Sequence, residues 1–234
     1  MALSPPPLPR SLPLELATRF GMAPAWCASI AQLNCVSVAA VLRVVDALFV
    51  THREAELALV VSVDRLQGEG SRLRHRSGIQ SDGAACLLVR RNHPWNRIGR
   101  VVISSNGDWF SGAEEAGRVA RQMISLEWKY TRDVVNAACA DSDLPTHRYD
   151  QFLPQNFKRQ GWLELCVGLG LPERNFFDRN IGLRGHACCS DLAVNLADAG
   201  LATLRAGGSV LTALHSSVGA YAALTLRPVA ERQA

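Results

Sequence analysis

Three kinds of hydrophobic pattern alternate along the chain. Glu56 to Val63, ELALVVSV, is a continuous apolar run of strand length, the pattern of a strand in a sheet covered on both faces. Ser37 to Phe49 carries apolar residues on most faces at helical length, which predicts a buried helix. RLQGEGSRLRHRSGIQ, which follows the first run, is polar, basic and punctuated by glycine, as a loop is. The same criteria predict a short helix over LELATRFGM, ending near Gly21, and a strand over ASIAQLN. AACLLVRR and IGRVVISS predict two more strands, and Gly112 to Ala140 a helix. SDLPTHRYD is a proline-bearing polar loop. Beyond it, QFLPQ predicts a short strand, FKRQGWLELCVGLGL a helix, NFFDRNI a short strand, GHACCSD a turn, and Asp191 to Leu204 a helix. GGSVLTALHSSVGAYAALTLRP closes the pattern with two strands that meet at Ser216–Gly219. Strands alternating with helices predict a layered α/β protein with a mostly parallel sheet. The strand–helix–strand order from Ala28 to Val63 is echoed from Phe152 to Ile181, as in a fold of two similar halves.

Composition narrows the setting rather than the fold. A chain of 234 residues that is 48% hydrophobic suits one large globular domain or two small ones. The net charge of +4 is mild and spread out, which argues against nucleic acid and suits an acidic protein partner or an anionic substrate. Seven unevenly spaced cysteines look like reduced intracellular thiols rather than a disulfide framework. No pair has the CxxC spacing of a zinc site, and the adjacent Cys188 and Cys189 cannot readily both ligate one metal, so no metal is expected. The opening MALSPPPLPRSLPL lacks the basic start and apolar core of a secretory signal; it predicts an extended, partly polyproline segment over residues 1–14. Arg43, Asp46 and Glu56 interrupt the longest apolar stretches, which argues against a membrane span. A cytoplasmic location is the expectation.

Several segments, in order, resemble the thiolase-fold 3-oxoacyl-acyl-carrier-protein synthase III (ketosynthase III) family. NCVSVAAVLRVVDAL resembles the segment carrying that family's nucleophilic cysteine, and ELALVVSVDRL its next strand. SDGAACLLV resembles the FGDGAGA-type strand, and YDQFLPQNFKRQGW the segment that normally reads PHQAN. NIGLRGHACCSDLAVNLADA resembles the segment beginning GN, and LHSSVGAYAALTL the closing glycine-rich loop and strand. The resemblance runs from about Leu12 to Pro228 and implies a layered αβαβα fold. Residues 1–110 would form a partial first half carrying the cysteine, and 111–234 the second half, with the family's opening strands absent. It also implies an acyl carrier protein or coenzyme A thioester as partner, no resident cofactor, and a dimer with a like or related subunit. The departures are specific: the family's histidine after the proline is Gln155, the asparagine after glycine is His186, and two closing-loop positions are Ser216 and Ser217. GH followed by CCSD is similar to an acyltransferase branch of secondary metabolism that uses cysteine with histidine and aspartate.

The chemistry expected from these residues is acyl transfer through a thioester. Cys35, at the start of a buried helix, would be ionised by unpaired backbone N–H groups and the helix dipole. Its own N–H and that of Gly219 are the candidate oxyanion donors. His186 is the candidate base and Asp191 the group that orients it. Gln155 can donate a hydrogen bond to substrate but cannot carry a proton near neutral pH, which disfavours decarboxylative condensation. Arg159 and Lys158 are candidates for a carrier protein or a coenzyme A phosphate. Plainer roles stand beside each of these: Cys35 as packing, His186 as a surface or capping residue, Asp191 as a helix cap. Arg72, Arg74, His75 and Arg76 read as a solvated loop. A catalytically inactive partner subunit, or a truncated homologue with an exposed edge, are the rival accounts of the whole chain.

Overall fold

The computed structural model describes residues 11–22, 25–66, 72–73, 78–107, 116–140, 142 and 144–229, with the backbone alone for 116–125. The proline-rich opening to residue 10, and Arg74, His75 and Arg76, lie outside the described residues. From Leu12 the chain is already helical, in α1 (Leu12–Arg19), where Pro13 occupies the first turn and has no intrahelical N–H to lose.

Among the described residues, seven strands form two sheets. β1 (Leu57–Asp64) and β2 (Gly83–Arg90) pair antiparallel, from Leu57 opposite Arg90 to Asp64 opposite Gly83. The second sheet runs β3 (Asn96–Ile98), β7 (Ala220–Pro228), β6 (Val210–His215), β5 (Gln151–Pro154), with β4 (Val102–Ser105) also on β7. Among the strands of the described residues β5 and β6 alone pair in parallel, so the mostly parallel sheet expected from the alternation is not what forms. The reason lies in the connections. The β6–β7 link at Ser216–Gly219 is too short for anything but an antiparallel hairpin, whereas β5 reaches β6 through a helical crossover.

Three expected strands are altered. ASIAQLN is not extended, because Gln32 (φ 74°) and Asn34 (φ 48°) turn the chain into a 3₁₀ turn, Asn34–Val36, that leads into α2 (Ser37–Thr51). IGRVVISS contributes β4, while its first isoleucine ends β3. The break falls at Gly99, where a Cβ would lie 2.2 Å from Thr225 Oγ1 and whose N–H donates to Thr225 O at 2.7 Å. NFFDRNI makes a single bridge, Phe176 to Phe152, and then enters α5 (Arg179–Leu183).

The central sheet is sandwiched. On one side Val210, Leu214, Ala222, Leu224 and Leu226 pack with Val36, Val38, Ala39, Leu42 and Val45 around α2 and with Leu192, Leu196 and Leu204. Those leucines come from one helical stretch: α6 (Asp191–Asn195), a π-helical turn Leu196–Gly200, and α7 (Leu201–Arg205). On the other side Leu211, Ala213, Tyr221 and Ala223 meet α3 (Ala116–Ala140) and α4 (Arg159–Leu169) through Val134, Val135, Ala138, Trp162 and Leu165. β1 and β2 lie beyond α2, with Val60 in the same core. Their other face is uncovered among the described residues: Leu57, Leu59, Val61 and Leu88 are exposed, which corrects the expectation of a sheet covered on both sides. Asn34–Thr51 is long and apolar enough to cross a membrane by length and composition alone, although its inner residues are committed to this core.

Candidate active site

The ends of both sheets converge on one turn, Gly185 to Asp191. Gly185 adopts φ +69°, and a Cβ there would sit 2.8 Å from the Ile79 carbonyl oxygen, so the position suits glycine twice over. The next residue is clamped by its backbone: His186 N–H donates to Ile79 O at 2.8 Å, and Ser81 N–H donates to His186 O at 2.9 Å. From the end of β1, Asp64 Oδ2 accepts the Cys189 N–H at 3.0 Å, and Ser62 Oγ lies 3.0 Å from Ser190 Oγ. From the end of β5, Asn156 donates its N–H to Asp191 Oδ2 at 2.9 Å and its side-chain amide to Asp191 Oδ1 at 3.2 Å. The Ala187 N–H donates to Asp191 Oδ1 at 2.7 Å. Asp191 therefore spends its carboxylate on neighbouring segments, and among the described residues none of its hydrogen bonds caps the helix it opens.

Those fixtures aim three side chains at one another across 151 residues of sequence. Cys35 Sγ lies 3.0 Å from His186 Nε2, and His186 Nδ1 lies 2.5 Å from Asp191 Oδ2. All three are buried; Asp191 is fully so. Burial alone would lower His186, but the charge and hydrogen bond of Asp191 prevail, and the imidazole is held above its ordinary range. The Cys35 thiol is pushed well above the ordinary cysteine range, first by its hydrogen bond with Cys188, then by burial and the nearby charges of Cys188, Cys189 and Asp191. The same bond, helped by His186, lowers Cys188 against its own burial. The Cys35 thiol is thus held away from ionisation, the opposite direction to the preformed thiolate expected from a helix N-terminus.

Other candidates fall in different places. Gln155 Oε1 accepts the His215 N–H at 2.9 Å, and its buried Nε2 has no hydrogen-bond partner among the described residues. Gly219 closes the β6–β7 turn at φ +75°, and its N–H donates to Ser216 O at 3.3 Å, which commits the group to the turn. Arg159 is not at the site: its Nε pairs with Asp178 Oδ2 at 2.6 Å and the side chain is half exposed. Lys158 Nζ pairs with both Glu127 carboxylate oxygens, at 2.5 and 2.7 Å. Arg72, read as a solvated loop residue, pairs with Asp82 at 2.9 Å.

Two residues at the site were missed. Cys188 offers its sulfur within 4.8 Å of Cys35 Sγ and a His186 ring nitrogen; its positive φ of 50° was not visible in the sequence. His215 ends β6, stacks on Trp162 with ring centroids 5.0 Å apart, and is flanked by Trp128 and Phe157. Burial, with help from the positive charges of Lys158 and His186, pushes it down to about 3, and neither ring nitrogen has a hydrogen-bond partner among the described residues. The run that His215 ends, VLTAL, is apolar but for Thr212 and leaves no local mark on the histidine. Two surface hollows, of about 170 Å³ between Trp128 and Gly168 and about 510 Å³ between Asn136 and Leu169, are lined by none of Cys35, His186, Cys188, Asp191 and His215. The half-buried Asn34, next to Cys35, donates to exposed Ser217 at 3.3 Å.

No family model matches the chain, and no curated protein does. Solved structures do. 3-Oxoacyl-[acyl-carrier-protein] synthase III from Aquifex aeolicus VF5 superposes with a TM-score of 0.79 at 16% identity, covering 97% of this chain and 75% of that one. ChlB3, described as an acyltransferase, gives 0.80 at 17% identity over 96% and 74%. The priming β-ketosynthase of the R1128 polyketide pathway gives 0.74 at 18% identity over 97% and 72%. The chain therefore has the layered thiolase-like fold of the synthase III structures, at identities where likeness speaks for fold alone.

Proposed function

We propose that the chain is an acyltransferase of the 3-oxoacyl-acyl-carrier-protein synthase III type, working through an acyl-enzyme on Cys35. The observation that carries this reading is the buried relay from Cys35 Sγ to His186 Nε2 at 3.0 Å and from His186 Nδ1 to Asp191 Oδ2 at 2.5 Å. Because the Cys35 thiol is held away from ionisation, His186 Nε2 takes its proton as sulfur attacks a thioester carbonyl; Asp191 keeps the ring in the tautomer that frees Nε2 and stabilises the imidazolium. Collapse of the tetrahedral adduct expels the carrier thiolate, which takes the proton back from His186. In the second half His186 removes a proton from the acceptor as it attacks the acyl-cysteine, then returns one to Cys35. No resident cofactor is needed for either half.

Simple transfer suits the site better than decarboxylative condensation. Condensation calls for two donors on the enolate, and of Gln155 only the Nε2 amide can donate, because Oε1 is an acceptor and holds the His215 N–H. An acyl carrier protein or coenzyme A thioester is the donor class, in a fatty-acid-like or polyketide setting, in the cytoplasm, with a dimer as the assembly. The rival is an inactive partner subunit. What favours it is that the hydrogen bond with Cys188 and burial push the Cys35 thiol well above the ordinary cysteine range.

Incubation with a panel of acyl-coenzyme A and acyl-carrier thioesters, read by intact mass, separates the two. One acyl group should be gained by the wild type and none by Cys35→Ala. No gain with any donor, or a gain that survives Cys35→Ala, overturns the enzyme reading.

A further inference from the structure

The expectation of no metal rested on spacing along the chain, and folding removes that objection. The thiol of Cys35 at the head of α2, the imidazole of His186, and the thiol of Cys188 after it have donor atoms all within 4.8 Å of one another. All three residues are buried, at 8%, 3% and 2% exposure. We propose that Cys35 Sγ, His186 Nε2 and Cys188 Sγ form a site for one thiophilic divalent cation of the zinc class. The acyl-transfer reading accounts for Cys35 and His186 but leaves Cys188 without a use.

The donor set is the kind that zinc takes. Two thiolates and an imidazole leave one position of a tetrahedron for water or a further oxygen, with sulfur at about 2.3 Å and nitrogen at about 2.0–2.1 Å. Those bond lengths set donor–donor separations of about 3.5–3.8 Å. The Cys35–His186 pair, at 3.0 Å, would open by about half an ångström.

The surroundings fit as well as the donors. A metal-bound imidazole is characteristically held through its other nitrogen by a carboxylate, which fixes the ring and raises its basicity. His186 Nδ1 has that partner in Asp191, itself held by Asn156 and the Ala187 N–H. The buried Asp64 Oδ1 has no hydrogen-bond partner among the described residues, while its Oδ2 accepts the N–H of Cys189, next to Cys188. Asp64 and Asp191 thus place two buried carboxyl groups in hydrogen-bond contact with the segment that carries the donors. Binding releases the thiol protons to solvent, and no oxidant or reductant is involved.

Occupancy and acylation compete for one sulfur, so a cation at this site would silence the transferase while it stays. The two readings nevertheless stand or fall separately. The test uses the full chain freed of metal by a chelator and titrated with cobalt(II), with zinc as competitor. One cobalt per chain is expected, with a thiolate-to-cobalt charge-transfer band, the strong visible absorption of a tetrahedral centre, and displacement by zinc. Cys188→Ser, checked for a native-like thermal transition, should lose the band and weaken binding more than about 100-fold; Asp191→Asn, a positioning change, should weaken it about 10–100-fold. X-ray absorption at the zinc edge of the wild type, which depends on no variant, should show two sulfur neighbours and at least one nitrogen. Absence of the thiolate band, affinity unchanged in Cys188→Ser, or a zinc shell without two sulfurs overturns the site. Acyl gain by the metal-free protein is scored apart, so cobalt binding without acylation keeps this inference and removes the transferase, and the converse outcome does the reverse.

Discussion

β1–β2 and β6–β7 are both antiparallel pairs of apolar strands, yet they live in different solvents. Leu211, Leu214 and Leu224 of the central pair are at most 1% exposed, whereas Leu57, Leu59 and Leu88 of the outer pair are 58%, 48% and 68% exposed. The central pair has helices on both faces and cannot lose a side chain without leaving a void. The outer pair buries one face on α2 and offers the other to water. What differs is the neighbours that the topology supplies, not the residue type. The turn from His186 to Asp191 is pinned to both: Asp64 and Ser62 hold it from the outer sheet, and Asn156 holds it from the end of β5.

Four measurements would break or sharpen that contrast. Leu211→Ala in the central pair should cost about 2–5 kcal/mol in denaturant unfolding, the range for a large core residue removed without collapse of the void. A loss below about 1 kcal/mol would show that the central sheet is no more committed than the outer one. Gly185→Ala should cost about 1–3 kcal/mol, since alanine is strained at φ +69° and its Cβ meets Ile79 O. Because that strain falls next to His186, acyl gain on Cys35 should drop by more than stability does; equal acylation rates would mean the clamp does not position the imidazole.

The next effect is on pH dependence. His186 is held above its ordinary value, so the folded protein binds that proton more tightly than the unfolded chain. Its contribution is complete below about pH 6.5, the ordinary histidine value, and is lost as pH rises through the higher folded value. The stability gap between wild type and His186→Asn, followed by urea unfolding from acid to alkaline pH, should narrow upward; a gap that widens contradicts the Asp191 pairing. The smallest effect is expected at the exposed face, where Leu88→Ser should change stability by no more than about 0.5 kcal/mol. A loss of several kcal/mol there would reveal a covered face and end the contrast.

Most elements were legible as stretches of the right type. α2, α3, α4 and the β6–β7 hairpin follow from periodicity and from turn residues, because those signals are local. The strand expected at ASIAQLN failed on two positive-φ residues, Gln32 and Asn34, whose side chains carry no glycine-like warning. NFFDRNI failed because Phe176 packs with β5 and α4 while Phe177 packs in the core on the other side of the sheet, rather than extending a strand ladder. Cys35, His186 and Asp191 could be named through resemblance, and the fold brings them into contact. Cys188 and His215 could not, since a cysteine pair split across the chain and an imidazole under two tryptophans leave no local pattern.

By itself, the amino-acid order determined which stretches are helical or extended and which cysteine, histidine and aspartate were worth pairing. Sheet direction, the bare outer face of β1–β2, the upward shift of the Cys35 thiol and the gathering of two thiols around one imidazole were decided only in three dimensions. Periodicity is a property of neighbours in sequence, whereas burial, charge on a sulfur and donor geometry depend on atoms that are distant along the chain and adjacent only after folding.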